Sequence, residues 1–381
     1  MLKKSKPRLA LFGLGVLGGG PRGQGIPVLI SLFQRLALDY DIVFYCFQSI
    51  DKKQISDTIE TRQIVSGYLP GRLNYALVSF RFLIDHIFKS YRLIMAVSIF
   101  PAGKWAITMG RLTSLPVIIQ LIDHEAIDLP SEIRHVNRDL SWFRNLTDEV
   151  CRKATALVAL SEYQRENIVR SLSSIPPITV LPLRINTKNF PYKERRISFP
   201  VQFIHIGYYS TIKDQNMMFT VFARVSHTID CRLTVIGNGF DVPGAQRLLE
   251  DLGINDKVVF TGIVKNSELP AYFSNAHILL HTSRFEAEPI VIQEAMACGV
   301  LVCGTRVGTL ADIGDQYAVI VHPGNAQGMA EKILEVIHDP DSYQRIKGEA
   351  YRWISTYNSE WSHSNYKYFL ERILWKEISN L

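Results

Sequence analysis

Apolar runs of strand length alternate with longer stretches of helical spacing along most of the chain. In the first half the runs fall at Leu9 to Phe12, Ile42 to Phe47, Leu93 to Ile99, Val117 to Ile122 and Ala156 to Leu160. Continuously apolar strands signal burial on both faces, and helix-length connections between them predict a parallel sheet covered by helices. A second series follows at Val201 to Ile206, Leu233 to Ile236, Val258 to Phe260, His277 to His281, Val300 to Val302 and Ala318 to Val321. Its predicted helices lie near Asn216 to Ser226, Ala245 to Leu252, Ile290 to Cys298 and Ala326 to Ile337. Between the two series, the stretch from Ile175 to Pro200 is rich in proline and in Lys/Arg and reads as a linker. The last segment, from Asp341 to Leu381, is rich in Tyr and Trp and has enough apolar surface to pack back across both domains.

The expected fold is therefore α/β, with two Rossmann-like doubly wound domains facing a central cleft. Residues 1–190 form the first domain, 191–360 the second, and 361–381 a helix returning towards the first. The length agrees, because 381 residues exceed what one core usually organises. Such folds bind ligands beyond the carboxyl ends of their strands.

Composition narrows the class. With 47% apolar and 20% charged residues the chain reads as a soluble globular protein. Its five cysteines are odd in number and scattered, which disfavours a disulfide framework or a zinc site and suits a reducing, cytoplasmic compartment. The basic, then apolar start is similar to a secretory signal, but no small-residue cleavage site follows before Gly18 to Pro21. Elsewhere no apolar run reaches the roughly 18 residues of a membrane span.

Charge is uneven. The first 100 residues hold thirteen Lys/Arg against six Asp/Glu, whereas the whole chain carries +6, so the remainder sums to −1. A basic front half suits an anionic membrane surface, or else consists of ordinary solvated lysines. No nucleic-acid-binding motif accompanies it, so a nucleic-acid partner is set aside.

The sequence Gly13-Leu14-Gly15-Val16-Leu17-Gly18 follows a predicted strand and has the form of a dinucleotide fingerprint. That reading requires a helix to start among the glycines, yet Gly19, Gly20, Pro21 and Gly23 prolong the loop and the helix is expected near Pro27. A long loop of this kind suits backbone that approaches a bulky ligand, which makes Gly18 and Gly19 candidate ligand contacts.

The most informative stretch runs from Ser283 to Gly299. Pro289 suits the first turn of a helix and Gly299 the residue past its end. Free amides near Ile290 and Val291 then form a positive tip suited to a diphosphate. Glu286 precedes the helix and Glu294 lies more than a turn inside it, so the two carboxylates can address different parts of one ligand.

This Glu286-x7-Glu294 pattern, continuing Ala295-Met296-Ala297-Cys298-Gly299, resembles the donor-site signature of the family-four retaining glycosyltransferases of GT-B fold. Gly207 to Gln215 is similar to that family's Gly-Arg-Leu…Lys segment, Leu233 to Gly239 to its strand ending in Gly-x-Gly, Val259 to Gly262 to its base-binding turn, and Gly304 to Asp312 to its post-signature loop. The resemblance implies a metal-independent transferase that needs no cofactor beyond a nucleotide-diphosphate sugar, UDP-linked first and GDP-mannose second. It implies that Lys213 neutralises the departing diphosphate, that Glu294 binds the ribose hydroxyls and that Glu286 contacts the transferred sugar. Gly207, Tyr208, Gly262, Ile263, Pro289, Ile290 and Val291 complete the implied donor site.

In the first half the resemblance implies a sugar-facing histidine at a strand end, a place that His124, Gln120 or Asp123 could take. The implied acceptor is a saccharide or lipid-linked saccharide, with peripheral contact to the inner face of a membrane. The helix expected from Tyr75 to Arg92 either lies on anionic lipid or packs on its own sheet.

Two departures stand out. Tyr208 replaces the usual arginine, leaving Arg184, Arg284 or Arg306 as alternative sources of charge. Glu288 replaces an aromatic and is expected to place an extra acid near the sugar. A nucleotide-sugar epimerase on the same scaffold, or an inactive partner that only binds nucleotide sugars, is the competing reading.

Overall fold

The computed structural model describes residues 6–15, 17, 25–48, 55, 58–63, 71–122, 140–172 and 174–375. Of these, residues up to 183 and from 359 onward form one compact unit, and 184–358 form another. Each is a parallel sheet flanked by helices.

The first unit contains β1 (Arg8–Gly13), β2 (Asp41–Cys46), β3 (Glu60–Gln63), β4 (Leu93–Val97), β5 (Val117–Gln120), β6 (Ala156–Ala159) and β7 (Ile178–Val180), in the order β3-β2-β1-β4-β5-β6-β7. All pairings are parallel. The helix after β1 spans Pro27–Leu36, with Pro27 in its first turn where no amide hydrogen is needed. It does not start inside the glycines, so the dinucleotide fingerprint is not formed. Under the sheet, Phe12, Tyr45, Phe82 and Tyr91 pack with ring centroids 5.2 to 6.1 Å apart. Such ring pairs contribute about 0.5–1.5 kcal/mol each beyond their buried area.

Two strands escape the hydrophobic pattern. The sequence of β3 is polar, and β7 lies inside the stretch read as a linker. Both occupy sheet edges and are only half buried, so neither needs a continuous apolar run. The start of the stretch read as a linker is therefore a strand, while the change of unit still falls within that stretch. After β7 the chain stays anchored: Leu181 O accepts from the Tyr366 hydroxyl at 3.0 Å, and Pro182 O accepts from Ser362 Oγ at 2.7 Å. The helix Ser359–Leu374, which carries Ser362 and Tyr366, packs on Pro27–Leu36 within this unit. Gln120, at the end of β5, donates to the same Tyr366 hydroxyl at 3.0 Å, so the closing helix belongs to the first core.

The second unit contains β8 (Val201–Ile206), β9 (Cys231–Ile236), β10 (Val258–Gly262), β11 (Ile278–His281), β12 (Leu301–Thr305) and β13 (Val319–Val321), in the order β10-β9-β8-β11-β12-β13. Every pairing is again parallel. Its core gathers Phe203, Met218, Phe219, Phe222, Leu233, Leu280, Cys303 and Ile333. Phe203 and Phe222 meet edge to face at 5.7 Å, and truncating either to alanine is worth about 3–5 kcal/mol. Strand order reverses between β8 and β11, and at such a switch point the strand ends leave room for a ligand.

The change of unit falls between Leu183 and Arg184, a few residues ahead of the boundary read from the sequence. Local chemistry accounts for it. The Arg184 side chain pairs with Glu288 at 2.8 Å and the Ile185 amide donates to Gln293 at 3.3 Å, which commits both residues to the second unit.

Candidate active site

On the β8 side of the switch point, the ends of β8, β9 and β10 are joined by backbone alone. The amide of Gly207, just after β8, donates to Ile236 O, and that of Gly237, just after β9, donates to Gly262 O, both at 2.9 Å. Gly237 has φ +146°, and a Cβ there would sit 1.8 Å from Gly207 O, so only glycine fits. Gly262 ends β10 at φ +71°, and Ile263 beyond it is exposed.

The loop after Gly207 is shaped by the helix that follows. Gln215, the first residue of the helix Gln215–Ser226, donates to Tyr208 O at 2.7 Å and accepts from the Ser210 amide at 3.0 Å. Asp214 caps that helix by accepting from the Met217 amide and pairs with Arg284 at 2.7 Å. Thr282 donates to the carbonyls of Lys213 and Asp214 at 3.1 and 3.0 Å. These bonds fasten the turn carrying Lys213 to the segment leaving β11.

Lys213 Nζ reaches Glu286 Oε1 at 2.5 Å. The same oxygen accepts from Ser283 Oγ at 2.6 Å and from His281 Nε2 at 3.1 Å. Burial by itself pushes the Glu286 carboxyl up, but the Lys213 charge and the hydrogen bonds from His281 and Lys213 outweigh it and hold the group well below the usual carboxylate range. Glu286 is therefore an ionised, nearly enclosed carboxylate with a fixed orientation.

Three residues further on, Pro289 precedes the helix Ile290–Ala297, whose first amides are capped by no side chain. The other end closes on Gly299, at φ +72°, where the amides of Gly299 and Val300 bond back to Met296 and Ala295. The tip at Ile290 and Val291 thus follows directly from the segment that holds Glu286, and its partial positive charge lies where an anion gains most.

Glu294 sits one turn deeper and is almost fully buried. It accepts from Asn266 Nδ2 at 2.9 Å, on the turn after Gly262 and Ile263. Burial pushes its carboxyl up to about 7, an effect that the Asn266 bond only partly opposes. Such a carboxylate gains from any ligand that brings hydroxyl donors.

Glu288 is placed differently from expectation. Its side chain is fully enclosed, pairs with Arg184 and accepts from Gln293 Nε2 at 3.0 Å, so its charge is committed to a buried pair. Arg184 is buried over the Trp353 ring at 4.6 Å. Arg284 pairs with Asp214, and Arg306 with Asp315. All three candidate replacements for the missing arginine are thus engaged by carboxylates. Tyr208 itself is exposed.

The structure brings Lys213 onto Glu286, three residues ahead of Pro289 and the helix tip at Ile290 and Val291, and brings Glu294 onto Asn266, on the turn after Gly262 and Ile263. Gly207 adjoins Lys213, whose Cδ lies 4.0 Å from the Cβ position of Gly207. Gly18, Gly19, Asp123 and His124 lie outside the described residues, and Gln120 donates its Nε2 to Tyr366 in the first unit. Sequence reasoning missed His281, Ser283 and Asn266. Alternation at the end of a strand puts His281 and Ser283 on one face, a signal that was available, whereas nothing in the sequence points to Asn266.

Residues 189–353 match the family model for glycosyl transferases group 1. Among curated proteins, the chain is 28% identical over 146 residues to N-acetyl-alpha-D-glucosaminyl L-malate synthase of Bacillus anthracis, covering 38% of each chain. It is 23% identical over 210 residues to the phosphatidylinositol N-acetylglucosaminyltransferase gpi3 subunit of Schizosaccharomyces pombe, covering 52% of this chain and 46% of that one. The chain thus spans less than half the length of these two relatives. Among solved structures, a sucrose-phosphate synthase from Thermosynechococcus elongatus superposes with a TM-score of 0.78 at 16% identity, covering 97% of this chain and 99% of that one. An Anabaena HepE structure in complex with UDP-glucose gives 0.74 at 16% identity, covering 95% and 99%. The fold is that of the GT-B glycosyltransferases.

Proposed function

Since residues 189–353 form a domain of the glycosyl transferases group 1 family, we propose that the chain is a retaining glycosyltransferase. It takes a hexose from a nucleotide-diphosphate sugar, UDP-linked first and GDP-mannose second, and passes it to a saccharide or lipid-linked saccharide in glycan assembly. The observation that carries this reading is the ion pair of Lys213 with an enclosed, ionised Glu286, set immediately before an uncapped helix tip.

In the proposed reaction the bond between the sugar's anomeric carbon and the β-phosphate oxygen breaks, with the electron pair leaving on the nucleoside diphosphate. A bond forms from the acceptor hydroxyl to the same face of that carbon, and the hydroxyl proton passes to the departing phosphate oxygen. Lys213 and the amides of Ile290 and Val291 stabilise the charge gathering on the diphosphate. Glu286 supports the cationic character of the anomeric carbon. Glu294 accepts from the ribose hydroxyls, a fork that suits a carboxylate, and Gly262 and Ile263 flank the base. No metal ion is required in this scheme, since the helix tip and Lys213 offset the phosphate charge. The UDP preference is supported by the ligand in the HepE structure, and the acceptor class by the phosphatidylinositol-modifying relative.

The proposal places the protein on the inner face of a membrane. Supporting this, the helix Gly71–Lys89 buries Val78 and Phe82 but exposes Phe80, Ile84, Ile87 and Phe88, the last two by 74% and 81%, and carries Arg81 and Lys89. An amphipathic surface edged with cations binds anionic headgroups. Sedimentation with anionic but not zwitterionic vesicles checks it.

One observation favours a second reading. Tyr208 leaves Lys213 without the companion arginine, and Arg184, Arg284 and Arg306 are all engaged by carboxylates, as an inactive protein that only binds nucleotide sugars would tolerate. A thermal-shift panel of UDP-, GDP- and ADP-sugars, followed by assay for donor hydrolysis, separates the cases. Stabilisation with slow hydrolysis supports the transferase, stabilisation without turnover across many acceptors supports the inactive binder, and isomerisation of the donor alone indicates an epimerase. No stabilisation by any nucleotide sugar contradicts all three.

A further inference from the structure

Resting on that reading, we propose that His281 and Ser283 are positioning residues that keep the Glu286 carboxylate ionised and oriented after Lys213 turns from it to the donor's diphosphate. Lys213 faces two demands. In the free protein its ammonium lies against Glu286 Oε1 at 2.5 Å, whereas the transfer requires its charge on the phosphates. A carboxylate left in this enclosed place with no other donor would take up a proton or swing away.

Two further donors prevent this, and both belong to the segment that carries Glu286. Ser283 Oγ lies 2.6 Å from Oε1, His281 Nε2 lies 3.1 Å from it, and the two donors are 3.2 Å apart, closing a triangle. The geometry fixes the tautomer. His281 is the last residue of β11 and is fully buried, and desolvation lowers its pKa, so the ring is neutral and carries one N–H. Only Nε2 faces acceptors; Nδ1 is buried with no partner among the described residues. The proton therefore sits on Nε2 and is donated to Glu286.

The bonds from Lys213, His281 and Ser283 all converge on Oε1. The orientation they impose leaves Oε2 for the bound sugar. The triangle is itself pinned from below, since Thr305 Oγ1 donates to Ser283 O and Thr282 ties the same segment to the Lys213 turn. Gly308 closes the far side: a Cβ there would lie 3.0 Å from Glu286 Cβ. His281 and Ser283 thus hold Glu286 from its own segment, whereas Lys213 reaches it from another loop.

The test has two arms. In the first, S283A, S283T, H281F and H281Q are assayed with the nucleotide sugar selected by the thermal-shift panel. Ser283→Ala is expected to lower kcat about tenfold, the loss of one charge-assisted hydrogen bond, with donor KM within about twofold. The acid limb of the kcat–pH profile is expected to move to higher pH, and S283T and H281Q, which retain a donor, are expected to recover most of the loss. Unchanged kcat and acid limb in both S283A and H281F overturn the proposal. If E286Q in the same assay has full activity, the reading of the site has failed instead.

The second arm needs no ligand and stands even if no donor turns over. K213M is compared with K213M/E286Q by thermal melting at pH 7.5. With His281 and Ser283 supporting the carboxylate, the double variant is expected to melt no higher than K213M; adding S283A to both reverses this by several degrees. A double variant that already melts several degrees above K213M with Ser283 intact shows the carboxylate to be unsupported without its lysine, and overturns the proposal.

Discussion

Lys213 and Glu286 are 73 positions apart in sequence, yet their charged atoms meet at 2.5 Å in a setting that excludes most water. The contact depends on a second set of bonds, in which Thr282 and Arg284 hold the Lys213 turn to the segment ahead of Glu286. The pair therefore reports on the docking of two loops as much as on an attraction between two charges.

Removing the cation tests its role in anion binding. Lys213→Ala is expected to weaken binding of the nucleoside diphosphate by about 10- to 100-fold, as for loss of one charged hydrogen bond of about 1.5–3 kcal/mol. Isothermal titration with UDP measures it. The uncharged nucleoside is expected to bind the variant and the wild type alike.

Glu294 sets a pH dependence. Its carboxyl is pushed up to about 7, so the free protein carries it half protonated near neutrality. A ribose donating two hydroxyl hydrogens favours the ionised form. Nucleotide affinity is accordingly expected to rise about tenfold from pH 6 to pH 8 and then level off, following the ionisation. Titrations in Glu294→Gln are expected to show weaker and pH-independent binding over that range.

Gly237 and Gly244 give a matched contrast in backbone chemistry. At Gly237 an added Cβ meets Gly207 O at 1.8 Å with φ at +146°, whereas at Gly244 it meets nothing within 4 Å. Gly237→Ala is expected to cost at least about 2–3 kcal/mol and to abolish nucleotide binding. Gly244→Ala, in the helix Pro243–Asp251, is expected to leave binding intact and to raise stability by about 0.4–1 kcal/mol. Thermal melting with a binding titration distinguishes them.

Glu288 tests the division between packing and chemistry. Its buried pairing with Arg184 predicts that Glu288→Ala costs about 3–5 kcal/mol, because an unpaired guanidinium stays enclosed over Trp353. Denaturant unfolding is the measurement. Turnover per folded molecule is expected to stay close to wild type.

Much of this organisation is legible in the residues themselves. Mainly apolar runs revealed the central strands β1, β4, β8 and β11, since strands covered on both faces bury nearly every side chain. The edge strands β3 and β7 were not legible, because their pairing is set by a neighbour and not by a pattern of their own. Pro289 and Gly299 marked the signature helix because each suits one backbone position. The roles of Glu288 and Arg184 were illegible for a different reason: an acid beside a ligand and an acid beside a buried arginine are the same letter. Only the fold, which carries Arg184 to Glu288 across more than a hundred positions, tells them apart. Asn266 was missed likewise, since its meeting with Glu294 depends on how the turn after β10 lies against a helix.

Sugar transfer at the site of Glu286 and Glu294 leaves a kinetic signature in which the two carboxylates part company. Release of nucleoside diphosphate from UDP-sugars and GDP-mannose is followed for the wild type, Glu286→Gln and Glu294→Ala. Glu294→Ala is expected to raise donor KM with kcat little changed, and Glu286→Gln to lower kcat about a hundredfold or more with KM little changed. Equal rates and equal donor affinities in all three proteins would contradict it.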